Sequence, residues 1–396
     1  MNAPPDYKVT EAGVIPADWS VATVGSLASF RSGESISVAR LANRSPACPY
    51  PVYGGNGIAG YTSRPLVNKP IVVIGRVGQR CGEVHLTDGP CWITDNALFP
   101  SAIHRELDIA FMALALRAAG LNSVKNRNDL PLLTQSILHS VCIPLPPTIP
   151  EQRAIAEALG DVDAFLQASE ELLAKRRQVK QGAMRELLTG RQRLPGFSGE
   201  WSCGRLGGVG AFLKGSGIAR SEALSGDLPC VRYGEIYTRH SSYIREFHSH
   251  ISRAVASRAT RLKRGDILFA GSGETKDEIG KCAAVTQELE AYAGSDIVIL
   301  RPIVGDPVFL GSYLNTPPIA RQKASLGQGD AVVHISAAAL ASIEVCLPEP
   351  NEQAAIGAVI AAMEEEIDLV EDRREKARLV KQGMMQQLLT GKLRLL

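Results

Sequence analysis

The sequence predicts an α+β chain: two similar domains of mixed β-structure with few helices, separated by two long antiparallel helices, the whole arranged as an internal pseudo-two-fold repeat. Three observations predict it. Residues 151–194, EQRAIAEALGDVDAFLQASEELLAKRRQVKQGAMRELLTGRQRL, recur without a gap at 352–395 as EQAAIGAVIAAMEEEIDLVEDRREKARLVKQGMMQQLLTGKLRL. About 18 of the 44 positions are identical, several times what chance gives, so the copy is a true repeat. Within it Ile155, Leu159, Val162 and Leu166 step by four, three and four, as do Ile356, Ile360, Met363 and Ile367, the spacing of a helical seam. The segments ahead of each copy read as short β-strands, such as IVVIG, CWITDNALF, DILFAG and SDIVIL, broken by Gly, Pro and polar turns.

Taken in order, a first domain over 1–147 leads into a helical segment at 148–194, a second domain over 195–348 and a second helical segment at 349–396. Thr148 with Glu151 has the form of a capping box, Pro150 suits a first turn, and Gly190 and Gly391 stand where a helix-terminating glycine belongs. Each helix would run about 40 residues, roughly 60 Å at 1.5 Å per residue. Two copies related by a pseudo-two-fold axis must run their helices antiparallel. The charged runs near Lys175–Arg177 and Arg373–Arg378 read as solvated faces. The domains themselves echo each other faintly, pairing Trp19 with Trp201, Phe30 with Phe212, Gly33 with Gly215, Phe111 with Phe309 and Leu116 with Leu314.

A chain of 396 residues with 45% hydrophobic and 21% charged residues is expected to divide into more than one globular domain. The N-terminus lacks the pattern of a signal peptide, and the longest apolar run, IAFMALALRAAGL, is short and broken by Arg117, so a cytoplasmic protein without a membrane span is expected. The eight cysteines show no CxxC pair and no zinc spacing, and are expected to be reduced thiols in cores.

Most catalytic motifs fail on inspection. GGNGIAG at 54–60 contains GxGxxG, but the prolines that follow oppose the helix a dinucleotide site needs, which leaves a tight glycine loop. Asp266, Glu274 and Lys276 echo a metal-dependent nuclease, yet the corresponding positions of the first repeat are Pro70, Gly78 and Arg80. No phosphate-binding GxxxxGK[ST] loop and no [NDS]PP[YFW] methyltransferase signature occurs, so no catalysis and no metal or cofactor site is expected in this chain. What remains is basic loops. Residues 239–264 hold seven Arg or Lys against one Glu, and the first domain offers Arg64, Lys69, Arg76, Arg80, Lys125 and Arg127. Such side chains neutralise phosphates, while Asn, Gln and Arg pair with base edges.

The whole pattern resembles the specificity subunit of a Type I restriction-modification system. A Pro-rich turn, EQ, an amphipathic helix and LLTG, written twice about two hundred residues apart, carry the resemblance across the full chain. It implies two target recognition domains, each reading half of a bipartite double-stranded DNA site, and paired helices that act as a spacer. It also implies two methylation subunits using S-adenosylmethionine, and restriction subunits using ATP and Mg²⁺, with no catalysis in this chain. Loop position and side-chain type then nominate Tyr53, Asn56, Arg64, Lys69, Arg76, Gln79, Arg80, Lys125, Asn126 and Arg127 in the first domain as DNA-binding. In the second they nominate Arg232, Tyr233, Arg239, Arg245, Ser272, Thr275, Lys276, Gln322, Lys323 and Gln328.

The duplicated helix ends offer Lys180, Gln181, Leu187, Leu188 and Thr189, with Lys381, Gln382, Leu388, Leu389 and Thr390, as equivalent docking surfaces for partner subunits. Helix termination and helix pairing are the alternative reading of Lys180, Gln181 and Gly182. The rival functions are a metal-dependent nuclease and a coiled-coil scaffold that does not touch DNA.

Overall fold

The computed structural model describes residues 6–124, 131–329 and 332–395. These form two compact units, and the boundaries fall inside the long helices rather than between domain and helix: 1–170 with 372–396, and 171–371. The first long helix runs Ile149–Leu187 and the second Pro350–Leu388. Each unit therefore holds the start of one and the end of the other, a partition that helix pairing dictates.

In the first unit, strands β1 (Ser20–Thr23), β2 (Ala28–Ser32), β3 (Tyr50–Gly54), β4 (Gly57–Thr62), β5 (Val72–Gly75), β6 (Val84–Leu86), β7 (Trp92–Ile93) and β8 (Ala97–Ile103) precede helix α1 (Ile109–Ala118) and strand β9 (Cys142–Leu145). One sheet has the order β2-β8-β5-β6, a second β4-β3-β7, and β1 pairs with β9. Alternation along β5 separates two cores. Val72 and Ile74 face a cluster with Trp19, Phe111, Ile155, Leu159 and Leu388, whereas Val73 faces one with Tyr53, Ile93 and Phe99. Ile155 and Leu159, expected in a helix seam, thus bury against the domain.

The second unit repeats the plan with β10 (Ser202–Arg205), β11 (Gly210–Lys214), β12 (Leu228–Val231), β13 (Tyr243–Ile244), β14 (Ser249–Ile251), β15 (Thr260–Arg261), β16 (Ile267–Ala270), β17 (Cys282–Val285), β18 (Tyr292–Ala293) and β19 (Ile297–Pro302). Helices α2 (Pro307–Tyr313) and α3 (Pro317–Leu326) and strand β20 (Glu344–Leu347) complete it. The sheets run β11-β19-β16-β17-β13 and β14-β12-β18-β15, and β10 pairs with β20.

The duplication extends to individual hydrogen bonds. Gln152 Oε1 accepts from Asp108 N–H at 2.9 Å while its amide donates to Pro146 O; Gln353 does the same with Asp306 N–H at 3.3 Å and Pro348 O. Asp108 and Asp306 in turn cap α1 and α2. Arg193 holds buried Glu352 through two bonds of 2.5 and 2.6 Å, and Arg394 holds buried Glu151 in the equivalent place. Lys180 pairs with Glu364 as Lys381 pairs with Asp163. In both units a higher number on one helix meets a lower number on the other, so the helices run antiparallel. Thr148 Oγ1 accepts from Glu151 N–H as a cap should, but the Glu151 carboxylate goes to Arg394 instead of closing the box.

Gly190 and Gly391 both take φ of +68°, the left-handed conformation that ends a helix, and each lies against an opening tryptophan, Trp201 and Trp19 respectively. The arginines that follow, Arg193 and Arg394, stack their guanidinium groups over the same two rings at 5.9 and 5.8 Å. LLTG is thus a socket in which a domain is seated, besides being a helix end.

Candidate nucleic-acid interface

In the first unit three turns converge at one end of the sheets. GGNGIAG is the β3–β4 hairpin, with Gly55 and Asn56 at its tip, so its glycines serve a turn and not a nucleotide. A Cβ on Gly75 at the end of β5 would stand 2.4 Å from the Gly55 carbonyl oxygen, so the hairpin tip and the β5–β6 turn touch backbone to backbone. Arg76 N–H donates to Asn96 O at 3.0 Å, bringing in the β7–β8 turn. Asn56, Gln79 and Arg80 are exposed on this cluster, Arg80 reaching toward Asn56 O at 3.5 Å, and half-buried Arg76 donates to Ser32 Oγ at 2.6 Å. Exposed Asp95 and Asn96 stand at the tip of the β7–β8 turn and are absent from the residues chosen on sequence. Their signal was the Asp-Asn pair between two strand runs, a turn signature.

Arg64 and Lys69 lie exposed on the β4–β5 loop, and no hydrogen bond among the described residues ties them to the cluster. Tyr53 is buried, 6.0 Å ring to ring from His85, and burial pushes its hydroxyl above the ordinary range; it belongs to the core and does not face a ligand. Lys125, Asn126 and Arg127 lie outside the described residues.

The second unit keeps the scaffold and changes the side chains. Gly33 and Gly215, paired on sequence, are both crowded: a Cβ would stand 2.0 Å from Ile93 O and from Gly294 O. The turn after β16 exposes Thr275 and Lys276, and Tyr233, half-buried Arg232, Arg239 and Gln328 are accessible. Four other nominees are consumed by the fold. Buried Ser272 hydrogen-bonds His334 Nδ1 at 2.9 Å. Gln322 holds both backbone groups of Glu344 at 2.9 Å. Lys323 is 2% exposed and donates to Gly280 O at 2.7 Å, with burial pushing its ammonium below the usual lysine range. Arg245 pairs with Glu364 and Asp368 on the second long helix. Each of these partners lies between 22 and 123 residues from its nominee in sequence.

The nuclease constellation dissolves for a stated reason. Asp266 is fully buried, both carboxylate oxygens accept from Arg301 at 2.8 and 2.7 Å, and one also takes the Lys263 N–H. A fully buried carboxylate neutralised by Arg301, with three of its four lone-pair sites taken, is not free to join exposed Glu274 and Lys276 around a metal. Among the described residues no group of three or more His, Cys, Asp or Glu is placed to hold a metal ion.

Of the duplicated helix ends, Leu187, Leu188, Leu388 and Leu389 are 6, 1, 1 and 4% exposed and belong to the cores. Leu187 and Leu388 are thus spent in the cores, whereas Leu188 and Leu389 also reach the lining of the grooves beside them. Lys180, Gln181, Met184 and Thr189 instead line a groove of about 1180 Å³ in the second unit, completed by α2 and the segment before β13. Lys381, Gln382, Met385 and Thr390 line a groove of about 1280 Å³ in the first, completed by α1 and Ile137–Pro144. The same helix face borders both.

Residues 16–178 match the family model of the Type I restriction modification DNA specificity domain. A Type I restriction enzyme specificity subunit from Methanocaldococcus jannaschii is 23% identical over 408 residues, covering 96% of this chain and 94% of its own. The chain is similar to Type I specificity subunits along nearly its whole length. The EcoprrI specificity subunit of Escherichia coli is 30% identical over 145 residues, 36% of this chain and 35% of its own. Among solved structures, the crystal structure of a Type I restriction-modification S subunit from M. genitalium superposes with a TM-score of 0.68 at 17% identity, covering 98% of this chain and 99% of the other. A chain from a structural study of complex assembly and conformational transition of the Type I system gives 0.53 at 15% identity, over 96% and 99%. These neighbours share the α+β fold expected from sequence. Specificity subunits are the DNA-recognition component of such systems and not the catalytic one. Among the described residues no helix is long and apolar enough to cross a membrane.

Proposed function

We propose that this chain is the DNA-recognition subunit of a Type I restriction-modification assembly, in which each unit reads one half of a bipartite double-stranded site. The observation that carries the reading is one framework built twice, down to Arg193–Glu352 and Arg394–Glu151, with unlike side chains on its loops. Equal frames with unequal loops suit two readers of different sequence. In the first unit Asn56, Gln79, Arg80, Asp95 and Asn96 supply donors and acceptors for base edges, with Arg64 and Lys69 for phosphates. In the second, Arg232, Tyr233, Arg239, Thr275, Lys276 and Gln328 fill that role.

The long helices act as the spacer between half-sites. The two grooves bordered by Lys180 and Lys381 each take the same segment of a methylation subunit, one copy per groove. Those partners supply S-adenosylmethionine-dependent adenine methylation, restriction subunits supply ATP- and Mg²⁺-dependent cleavage, and the assembly works in the cytoplasm.

The test is co-expression with the methylation subunit and mapping of N6-methyladenine in host DNA by single-molecule sequencing. A split motif, two short half-sites around a fixed gap with one methylated adenine on each strand, is expected. A complex that forms but methylates no motif would overturn the recognition role; failure to form any complex would overturn the scaffold role.

A further inference from the structure

The expectation that all cysteines are reduced thiols fails at one place: Cys203 on β10 and Cys346 on β20 are joined in a disulfide. They are directly opposed in the antiparallel register, with Cα atoms 4.0 Å apart, and are separated by 143 residues in sequence. Cys203 is exposed. Cys48, Cys91, Cys142, Cys230 and Cys282 are free thiols. Cys91, Cys230 and Cys282 are buried, and burial pushes Cys91 and Cys282 up to about 11 and Cys230 to about 12, which keeps these three protonated and inert.

The repeat supplies an internal control. In the first unit the equivalent strands β1 and β9 pair in the same register, but Val21 faces Pro144 where Cys203 faces Cys346. The two-strand sheet therefore forms without a cross-link, and the disulfide is an addition to one domain and no requirement of the architecture. β10 opens the second domain and β20 leads into the second long helix, so the bond joins the two points at which that domain meets the rest of its unit. An accessible disulfide in a chain that keeps Cys48, Cys91, Cys142, Cys230 and Cys282 as thiols is of the kind that opens and closes.

We propose that Cys203 and Cys346 form a reversible redox clasp on the second recognition domain, closed by a low-molecular-weight disulfide such as oxidised glutathione. The Cys203 thiolate attacks one glutathione sulfur, breaking that S–S bond and releasing one glutathione thiolate. The Cys346 thiolate then attacks Cys203 Sγ in the mixed disulfide and releases the second. Two cysteine thiols lose two electrons to one glutathione disulfide, which becomes two glutathione thiols carrying the two protons. Reduction by excess thiol runs the same steps backward and frees β10 from β20 apart from their hydrogen bonds.

The experiment uses the full chain, equilibrated at a series of ratios of oxidised to reduced glutathione, quenched with iodoacetamide, digested and mapped by mass spectrometry, with thermal unfolding followed in parallel. A Cys203–Cys346 cross-linked peptide that appears and disappears with the ratio is expected, with the thermal midpoint of the oxidised chain higher by roughly 5–15 °C. Cys203→Ser and Cys346→Ser should each melt independently of the ratio. If alkylation finds both cysteines free even in pure oxidised glutathione, no clasp forms. If dithiothreitol cannot open the bond in the folded chain, or the midpoint does not move with it, the bond is a static feature and the proposal fails.

Discussion

Glu364 and Asp163 occupy equivalent positions of the repeat and answer equivalent lysines, yet their surroundings differ enough to predict unequal energies. The Glu364 carboxylate is 4% exposed and is held by Lys180, Arg245 and the Tyr243 hydroxyl. Asp163 is 40% exposed and meets Lys381. Removing one partner of a buried ion pair strands the remaining charges and costs about 3–5 kcal/mol. Arg245 is 39% exposed, so its share is screened and the low end, about 3 kcal/mol, applies to Glu364→Gln. An exposed pair is worth about 0.2–1 kcal/mol, which sets Asp163→Asn near 0.5. At roughly 2–4 °C per kcal/mol for a unit of this size, calorimetry of the full chain should show a drop of about 6–12 °C for the first variant and about 1–2 °C for the second.

The pH dependence follows from the same contacts. Burial raises the Glu364 carboxyl, but Lys180, Tyr243 and Arg245 together outweigh it and hold the group below its ordinary value. Its stabilisation is therefore complete above the unfolded carboxylate value, near 4.3, and is lost as pH falls through the lower folded value. The gap between wild type and Glu364→Gln should close in acid. Equal shifts for the two variants, or a gap unchanged down to pH 3, would refute the argument from burial.

Four further outcomes are expected. Lys323→Met removes a buried ammonium and should raise stability by roughly 1 kcal/mol at pH 7. Because the folded lysine value is depressed, wild-type stability should rise with pH toward the unfolded value near 10.4 and the variant should lack that rise, as urea titration at several pH values would show. Gly391→Ala places a Cβ 2.6 Å from Pro16 in a left-handed residue, whereas Gly190→Ala places one 3.2 Å from Trp201, so the first should lose about 2–3 kcal/mol and the second about 1–2 by the same titration. Exchanging residues 1–145 for the corresponding segment of another specificity subunit should alter one half of the methylated motif only, as sequencing of modified DNA would show. Gln181→Arg combined with Gln382→Arg, both exposed at the grooves, should weaken co-purification with the methylation subunit while the thermal midpoint stays within about 1 °C of wild type.

The framework was legible because it is written locally and twice. Apolar spacing and the Gly190 and Gly391 stops need only neighbours in sequence to be interpreted, and the copy at 352–395 repeats the message. The loops were legible as loops, and Asn56, Gln79 and Arg80 emerge together because Gly55 and Gly75 bring two turns into backbone contact. What could not be seen was the use to which a charged or apolar side chain is put. Arg245 and Lys323 look like surface cations until Glu364 and Gly280 arrive from distant parts of the chain. Leu187 and Leu388 look like part of a docking surface until a domain core closes over them. The Cys203–Cys346 bond follows no spacing rule, since it depends on strand register across a whole domain.

The exchange of helix ends between the repeats has a consequence for biosynthesis. Residues 171–371 emerge from the ribosome as an uninterrupted stretch, with both partners of the Arg193–Glu352 pair inside it. The unit begun by residue 6 cannot be finished until Gly391 reaches Trp19 and Arg394 reaches Asp18 and Glu151. At about 5–20 residues per second the N-terminal part waits roughly 11 to 45 s after residue 170 for its closing segment. The part translated first is thus the last to be completed, because Leu388 and Leu389, which share the core of Leu159 and Phe111, are made only after the whole of the second unit.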